Sequence, residues 1–353
     1  MQLLKESIEF PNLFSGDIEI SRVAFNLFGV DIYWYGILIA IGVVLAFAYA
    51  MKAAKKFGLI ADNVFDTAFI SVIAGFIGAR AYYCIFYNLM NPEAENKYNI
   101  ITVFSRIHDG GLAIYGGVII GVITALIVCR IRKSPLLPIL DVAASSFLIG
   151  QSIGRWGNFV NQECFGAPTA GSLPWGMTGT TIALDPVVME AELHNNTNVP
   201  VLVHPCFLYE SLWCVAGLLL IHFVGRRIRK FDGEVFLYYV LWYGTGRTWI
   251  EGLRTDSLYA GSLKVSQVIA ITSAVLALIM IVYFRISAAK SGKALYVNTE
   301  LSKERLDEYV KKQVLEKENA AAKKAMKEAE KAQNAAKAPS ILGDEDETKE
   351  NNN

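Results

Sequence analysis

The chain has 353 residues, 53% of them apolar, with a mean hydropathy of +0.35. Lys+Arg 33 balance Asp+Glu 33 to a formal net charge of zero, so charge alone points to no partner class, nucleic acid included. A composition this apolar, delivered in long runs, excludes an ordinary soluble enzyme and indicates a chain that crosses a bilayer repeatedly.

Residues 1–32 carry acids throughout and lack a basic start followed by an apolar core. This stretch therefore reads as an extracytoplasmic leader with no cleavable signal peptide, and the first span directs insertion. Apolar runs follow at about 33–51, 66–88, 112–129, 138–157, 206–224, 234–252 and 264–284. Each approaches the roughly 20 residues a helix needs to cross hydrocarbon. The expected fold is an all-α polytopic integral membrane protein of about seven transmembrane helices, occupying residues 33–285 with an outer segment at 158–204.

Orientation follows from the cations. Lys52, Lys55 and Lys56 follow the first run, Arg130, Arg132 and Lys133 the third, and Arg226, Arg227, Arg229 and Lys230 the fifth. Basic loops stay in the cytoplasm, so the N-terminus faces outward and the C-terminus inward. After about residue 286 the sequence turns to Lys, Glu and Ala, then acidic and Asn-rich residues to 353. A solvated cytoplasmic tail, partly helical or disordered, is expected, with its bases free to meet anionic lipid. Truncation near Ser291 is expected to leave catalysis intact.

With that topology, most polar span residues fall on the outer side. Tyr33, Trp34 and Tyr35 open the first span. Arg80, Tyr83 and Tyr87 lie toward the end of the second, and HDGGLAIYGG (His108 to Gly117) leads into the third. The fourth ends in GRWGNFVNQECFG (Gly154 to Gly166), HPCFLYE (His204 to Glu210) begins the fifth, and Arg247, Glu251 and Arg254 close the sixth. Ionisable groups are costly in hydrocarbon and need partners there. Outer arginines also oppose the usual charge bias, which a shared anionic ligand would explain. Tyr239, Tyr243, Arg247, Glu251 and Arg254 step by four, four, four and three, forming one helical stripe. An interfacial aromatic belt with snorkelling arginines has the same spacing. The pairs Gly110–Gly111 and Gly116–Gly117 suit either close helix packing or backbone approach to a phosphate.

GRWGNFVNQECFG resembles the signature of prolipoprotein diacylglyceryl transferases. HPCFLYE, GGLAIYGG and RTWIEGLR are similar to that family's other motifs, in the same order, across about residues 30 to 285. The resemblance implies a multi-pass enzyme of the bacterial cell membrane with its active site toward the outer face. It implies transfer of the diacylglyceryl group of phosphatidylglycerol to the lipobox cysteine of a prolipoprotein signal peptide, giving a thioether and glycerol phosphate. No cofactor or metal is implied.

On that resemblance Arg155, Asn158, Asn161, Glu163, Gly166, Arg247, Glu251, Arg80 and Tyr35 contact phosphatidylglycerol, and Tyr115, His204, Arg155, Arg247 and Tyr243 are the catalytic candidates. Guanidinium forks suit phosphate because they bind two oxygens and stay charged. A thiol of pKa about 8.5 must become a thiolate to attack, so a base or a positive field is needed. Many relatives have His where this chain has Tyr115, and a phenol of pKa about 10 is a poorer base. His204, Glu210 and Glu163 are the alternatives, and His204 could equally anchor the loop before Pro205. His108 and His222 are set aside, as one lies in a loop and the other near the basic cytoplasmic turn. Cys84, Cys129, Cys164, Cys206 and Cys214 show no metal spacing and read as incidental, because the nucleophile belongs to the substrate. A transporter would carry polar residues through the inner halves of its spans, and a precursor-binding scaffold would not need so many outer arginines. Spans one, three and seven are apolar in their inner halves.

Overall fold

A computed structural model describes residues 6–93, 97–99, 102–105, 111–169, 171, 173–195 and 200–337. His108 and Gly110, named above, lie outside the described residues.

Strands β1 (Glu6–Glu9), β2 (Asp17–Ile20), β3 (Val23–Leu27) and β4 (Val30–Tyr33) precede helix α1 (Trp34–Ala54). Helices α2 (Ala61–Met90), α3 (Thr102–Ser105), α4 (Ile114–Ile131) and α5 (Leu136–Asn161) follow. Next come β5 (Thr178–Gly179), α6 (Pro186–Leu193), α7 (Cys206–Leu220), a π-helical turn at Ile221–Gly225 and α8 (Arg226–Ile228). The chain closes with α9 (Glu234–Leu253), β6 (Tyr259–Ala260), β7 (Leu263–Lys264), α10 (Val265–Ser291) and α11 (Glu300–Lys337).

Every expected span becomes a helix. Prolines fall where helices tolerate them: Pro135 and Pro205 precede α5 and α7, and Pro138 sits in the first turn of α5. Among the described residues six helices are long and apolar enough to cross a membrane, and α9 is not among those six. It carries Glu234, Arg247 and Glu251, which lower its hydropathy. The bundle is arranged for lipid. Arg80, Asp141 and Glu234 are fully buried, while Ile114 and Val44 are 80% and 65% exposed. In hydrocarbon, polar groups must find partners inside the protein and apolar side chains can face out.

Small residues set the closest helix pairs. A Cβ on Gly116 would lie 2.3 Å from the Tyr82 Cβ and 2.6 Å from the Gly78 carbonyl oxygen, so α4 crosses α2 almost backbone to backbone. Both members of the pair Gly116–Gly117 pack on α2, since a Cβ on Gly117 would lie 3.3 Å from the Gly75 carbonyl oxygen. Between α7 and α9, Trp213 Nε1 donates to the Trp242 carbonyl at 2.9 Å and Trp242 Nε1 returns the bond to the Trp213 carbonyl at 2.8 Å. Their rings stack with centroids 4.4 Å apart.

The segment before α1 is more than a leader. β1 pairs antiparallel with β2 and with β5, tying the N-terminus to the segment after α5. Ile8, Phe10, Phe165, Met177, Ile182, Val203 and Phe207 form a common core beneath this sheet. At the opposite end, Asp141 accepts from the backbone N–H of Gly233 at 2.8 Å and of Phe236 at 3.0 Å, capping α9, with Arg229 3.7 Å away. Glu234 accepts from Tyr238 Oη at 2.6 Å and Arg285 Nε at 2.5 Å.

The tail begins later than about residue 286. The compact unit reaches Ser302, because α10 continues to Ser291 and the next turns dock on the bundle. Tyr296 N donates to Asp232 at 2.9 Å, and Ser302 Oγ to the Gly58 carbonyl at 2.9 Å. Lys303–Asn353 is a second unit, described to Lys337 as a polar helix.

Candidate active site

Three helices bring ion-pairing side chains to the sheet-bearing end. The Glu210 carboxylate near the start of α7 bridges two guanidiniums, one oxygen pairing with Arg155 Nε of α5 and the other with Arg247 NH1 of α9. Glu210 is buried, whereas the two arginine side chains keep 22% and 17% exposure and are within reach of a ligand. Arg247 NH2 also pairs with Glu251 at 2.6 Å, one turn on. The stripe read from sequence is therefore an ion-paired seam. Tyr243, one turn before Arg247, stacks on Tyr239 with centroids 5.8 Å apart, and Tyr239 Oη accepts from Gln151 Nε2 at 2.9 Å.

From Arg155 a second chain of bonds runs outward. Arg155 NH1 donates to Asn158 Oδ1 at 3.2 Å, and Asn158 Nδ2 donates to Glu163 Oε1 at 2.8 Å. Asn161 Nδ2 reaches the same oxygen at 3.4 Å. The Tyr35 ring lies directly over Gly157, where a Cβ would come within 2.5 Å of it, so a side chain at this position would displace the ring. Gly166 is equally confined. Its N–H donates to the His204 carbonyl at 2.9 Å, and a Cβ would lie 2.7 Å from that of His204 and 2.9 Å from Cys206 Sγ.

Beside these, Arg254 forms a two-pronged pair with Asp256 at 2.8 and 2.7 Å. Burial alone would raise the Asp256 carboxyl, but the Arg254 hydrogen bond and charge outweigh it and hold it below its ordinary value. Lys264 Nζ binds the carbonyls of Glu251 at 2.8 Å and Arg254 at 2.6 Å, satisfying the end of α9. Cys164 is pushed up by burial, an effect the Arg254 charge offsets only in part, so its thiol stays protonated.

His204 stands at the rim, its Nδ1 3.2 Å from Tyr209 Oη, which accepts from Trp175 Nε1 at 2.7 Å. Burial lowers its pKa, leaving a neutral imidazole at neutral pH. Tyr115 is half exposed in the first turn of α4, and among the described residues no hydrogen bond or ion pair ties it to Glu210 and its arginines. Arg80 is not brought to the cluster by its described contacts. Its Nε donates to the Val103 carbonyl at 2.8 Å and its NH1 to Gly111 at 3.0 Å, and its guanidinium lies 5.0 Å from the Tyr98 ring.

Residues 22–283 match the family model described as prolipoprotein diacylglyceryl transferase. A Finegoldia magna protein named phosphatidylglycerol-prolipoprotein diacylglyceryl transferase is 39% identical over 274 residues, covering 78% of this chain and all of the relative. A Staphylococcus aureus (strain JH9) protein of the same name is 38% identical over 268 residues, covering 76% of this chain and 90% of the relative. The chain belongs to the prolipoprotein diacylglyceryl transferase family.

In this diacylglyceryl transferase, Arg155, Asn158, Asn161, Glu163, Tyr243, Arg247 and Glu251 share one connected neighbourhood, with Tyr35 and Gly166 at its edge. Glu210 was considered from sequence only as a possible base, and its bridging of two arginines was not foreseen. The available signal was an acid one turn inside an apolar span, which demands a cationic partner. Lys264 and Asp256 were missed because each lies in a short polar stretch resembling any loop.

Proposed function

We propose that the site transfers the diacylglyceryl group from phosphatidylglycerol to the thiol of a prolipoprotein lipobox cysteine. The observation that carries this reading is the pair of partly exposed guanidiniums, Arg155 and Arg247, fixed by one buried carboxylate. Arginine offers five donors, so each keeps N–H groups for phosphate oxygens while bound to Glu210. The phosphate of the lipid sits against them, oriented by Asn158 and Asn161, with Glu251 holding Arg247 in place. The substrate sulfur attacks the glycerol carbon next to the phosphate ester, a carbon–sulfur bond forms as the carbon–oxygen bond breaks, and the electron pair leaves on the phosphate. Fixed cations at that oxygen stabilise charge as it develops. His204, neutral and oriented by Tyr209, takes the thiol proton, and Tyr243 borders the ion pairs from below.

In our reading seven helices, α9 included, cross the bacterial cell membrane. The cation-rich turns after α1, α4 and α8 lie in the cytoplasm, and the sheet-bearing end faces outward. The test uses purified full-length protein with phosphatidylglycerol and a lipobox peptide bearing a single cysteine. A diacylglyceryl mass gain on the peptide and release of glycerol phosphate are expected, both lost when the peptide cysteine is replaced by serine. No transfer under conditions in which a relative works would overturn the reading.

A further inference from the structure

Outside the ends of α5 and α9 lies a cavity of about 350 Å³ that the proposed chemistry does not use. Gln162, Glu163, Thr181, Asp185, Thr255 and Asp256 contribute to its walls. Two of its features call for a ligand. Gln162 is 2% exposed, in left-handed backbone at φ +53°, and its Oε1 accepts from Thr181 N at 2.9 Å, yet among the described residues its Nε2 has no hydrogen-bond partner. A buried amide without a partner is costly, so this donor is poised for an acceptor. The walls also carry three carboxylates, of Glu163, Asp185 and Asp256, against which, among the described residues, only Arg254 forms an ion pair, on Asp256.

Resting on the transferase reading above, we infer that this cavity binds the polypeptide that follows the acceptor cysteine, accepting basic or hydroxyl side chains and rejecting acidic ones. Glu163 joins the two regions: its Oε1 holds Asn158 and Asn161 of the arginine cluster, and its side chain also lines the cavity. A peptide whose sulfur lies near Arg155 therefore leads into the cavity within a few residues. Main-chain carbonyls suit the Gln162 donor, main-chain N–H groups suit the carboxylates and threonines, and the volume exceeds what a glycerol head group needs. The walls come from the turn after α5, the segment between β5 and α6, and the residues after α9, all beyond the helix ends, where a polypeptide leaving the bilayer must pass.

The experiment measures transfer by the full-length protein to single-cysteine lipobox peptides that differ only in the three residues after the cysteine, rich in Lys, Ser or Asp. Lys and Ser peptides are expected to exceed the Asp peptide in kcat/KM by about fivefold, the scale of partly exposed charge pairs. Asp185→Asn keeps the cap on α6, where Asp185 accepts from Val187 N at 2.9 Å, because asparagine caps equally well. It should cut that preference to about twofold with the KM for phosphatidylglycerol unchanged. Gln162→Glu, which keeps an oxygen for Thr181 N and removes the donor, should raise peptide KM and leave the lipid KM unchanged. Equal rates with all three peptides, or variants that shift the lipid KM and leave peptide selectivity intact, would overturn the inference, the latter assigning the cavity to the lipid head group. Transfer to none of the peptides would remove the transferase reading and the inference together.

Discussion

Glu210 shows how a single residue organises the site. It is buried and shared by Arg155 and Arg247, so its removal leaves two cations in a medium that solvates them poorly. Breaking a buried pair in this way costs about 3–5 kcal/mol. Glu210→Gln should lower kcat/KM at least about 100-fold, the scale of lost electrostatic preorganisation, while the protein still reaches the membrane. Near-normal transfer by this variant, followed by peptide mass, would remove Glu210 from the site. Arg247→Ala should abolish transfer, since it loses the phosphate donor and also leaves Glu210 and Glu251 with one cation fewer. At this scale Arg155, Asn158 and Arg247 drew attention because polar groups inside apolar segments stand out, and Glu163 by its place in the signature that follows α5. Arg80 drew attention by the same rule, but its described partners are the carbonyls of Val103 and Gly111.

Among the elements, the α2–α4 pair depends on absent side chains. Gly78 and Gly116 face each other so closely that any larger residue must part the helices. Gly116→Leu is expected to destabilise the pair by about 1–3 kcal/mol or more, as overpacking does, read as a lower unfolding temperature in detergent. An unchanged unfolding temperature would contradict the close crossing. The seven helices were readable because each is a long apolar run, and their ends moved by a few residues except in α10, which continues to Ser291. The strands were not readable. β1 and β2 are four residues each and β5 is two, too short for a periodic signal, and their pairing joins Ile8 to Gly179 across nearly half of the chain. Such contacts carry no local trace.

At the scale of the whole molecule, the boundary of the folded unit has a direct test. A chain ending after Ser302 should keep both transfer and thermal stability. One ending after Ser291 loses the Tyr296 and Ser302 contacts, so it should retain transfer but unfold about 2–4 °C lower per kcal/mol lost. Identical unfolding temperatures for the two chains would mean that the docked turns contribute nothing. The sequence by itself determined the solvent, the order of the long apolar helices, the family and most of the polar residues that meet at one end. These follow from local composition, since lipid penalises each exposed polar group wherever it occurs. Only the tertiary structure decided that Glu210 bridges two arginines, that Arg80 donates to the carbonyls of Val103 and Gly111, that β1 and β2 join β5 after α5, and that a Gln162 Nε2 without a partner among the described residues lines a cavity beside the site. Each depends on groups distant in sequence meeting within a few ångströms, which is a property of the packed chain.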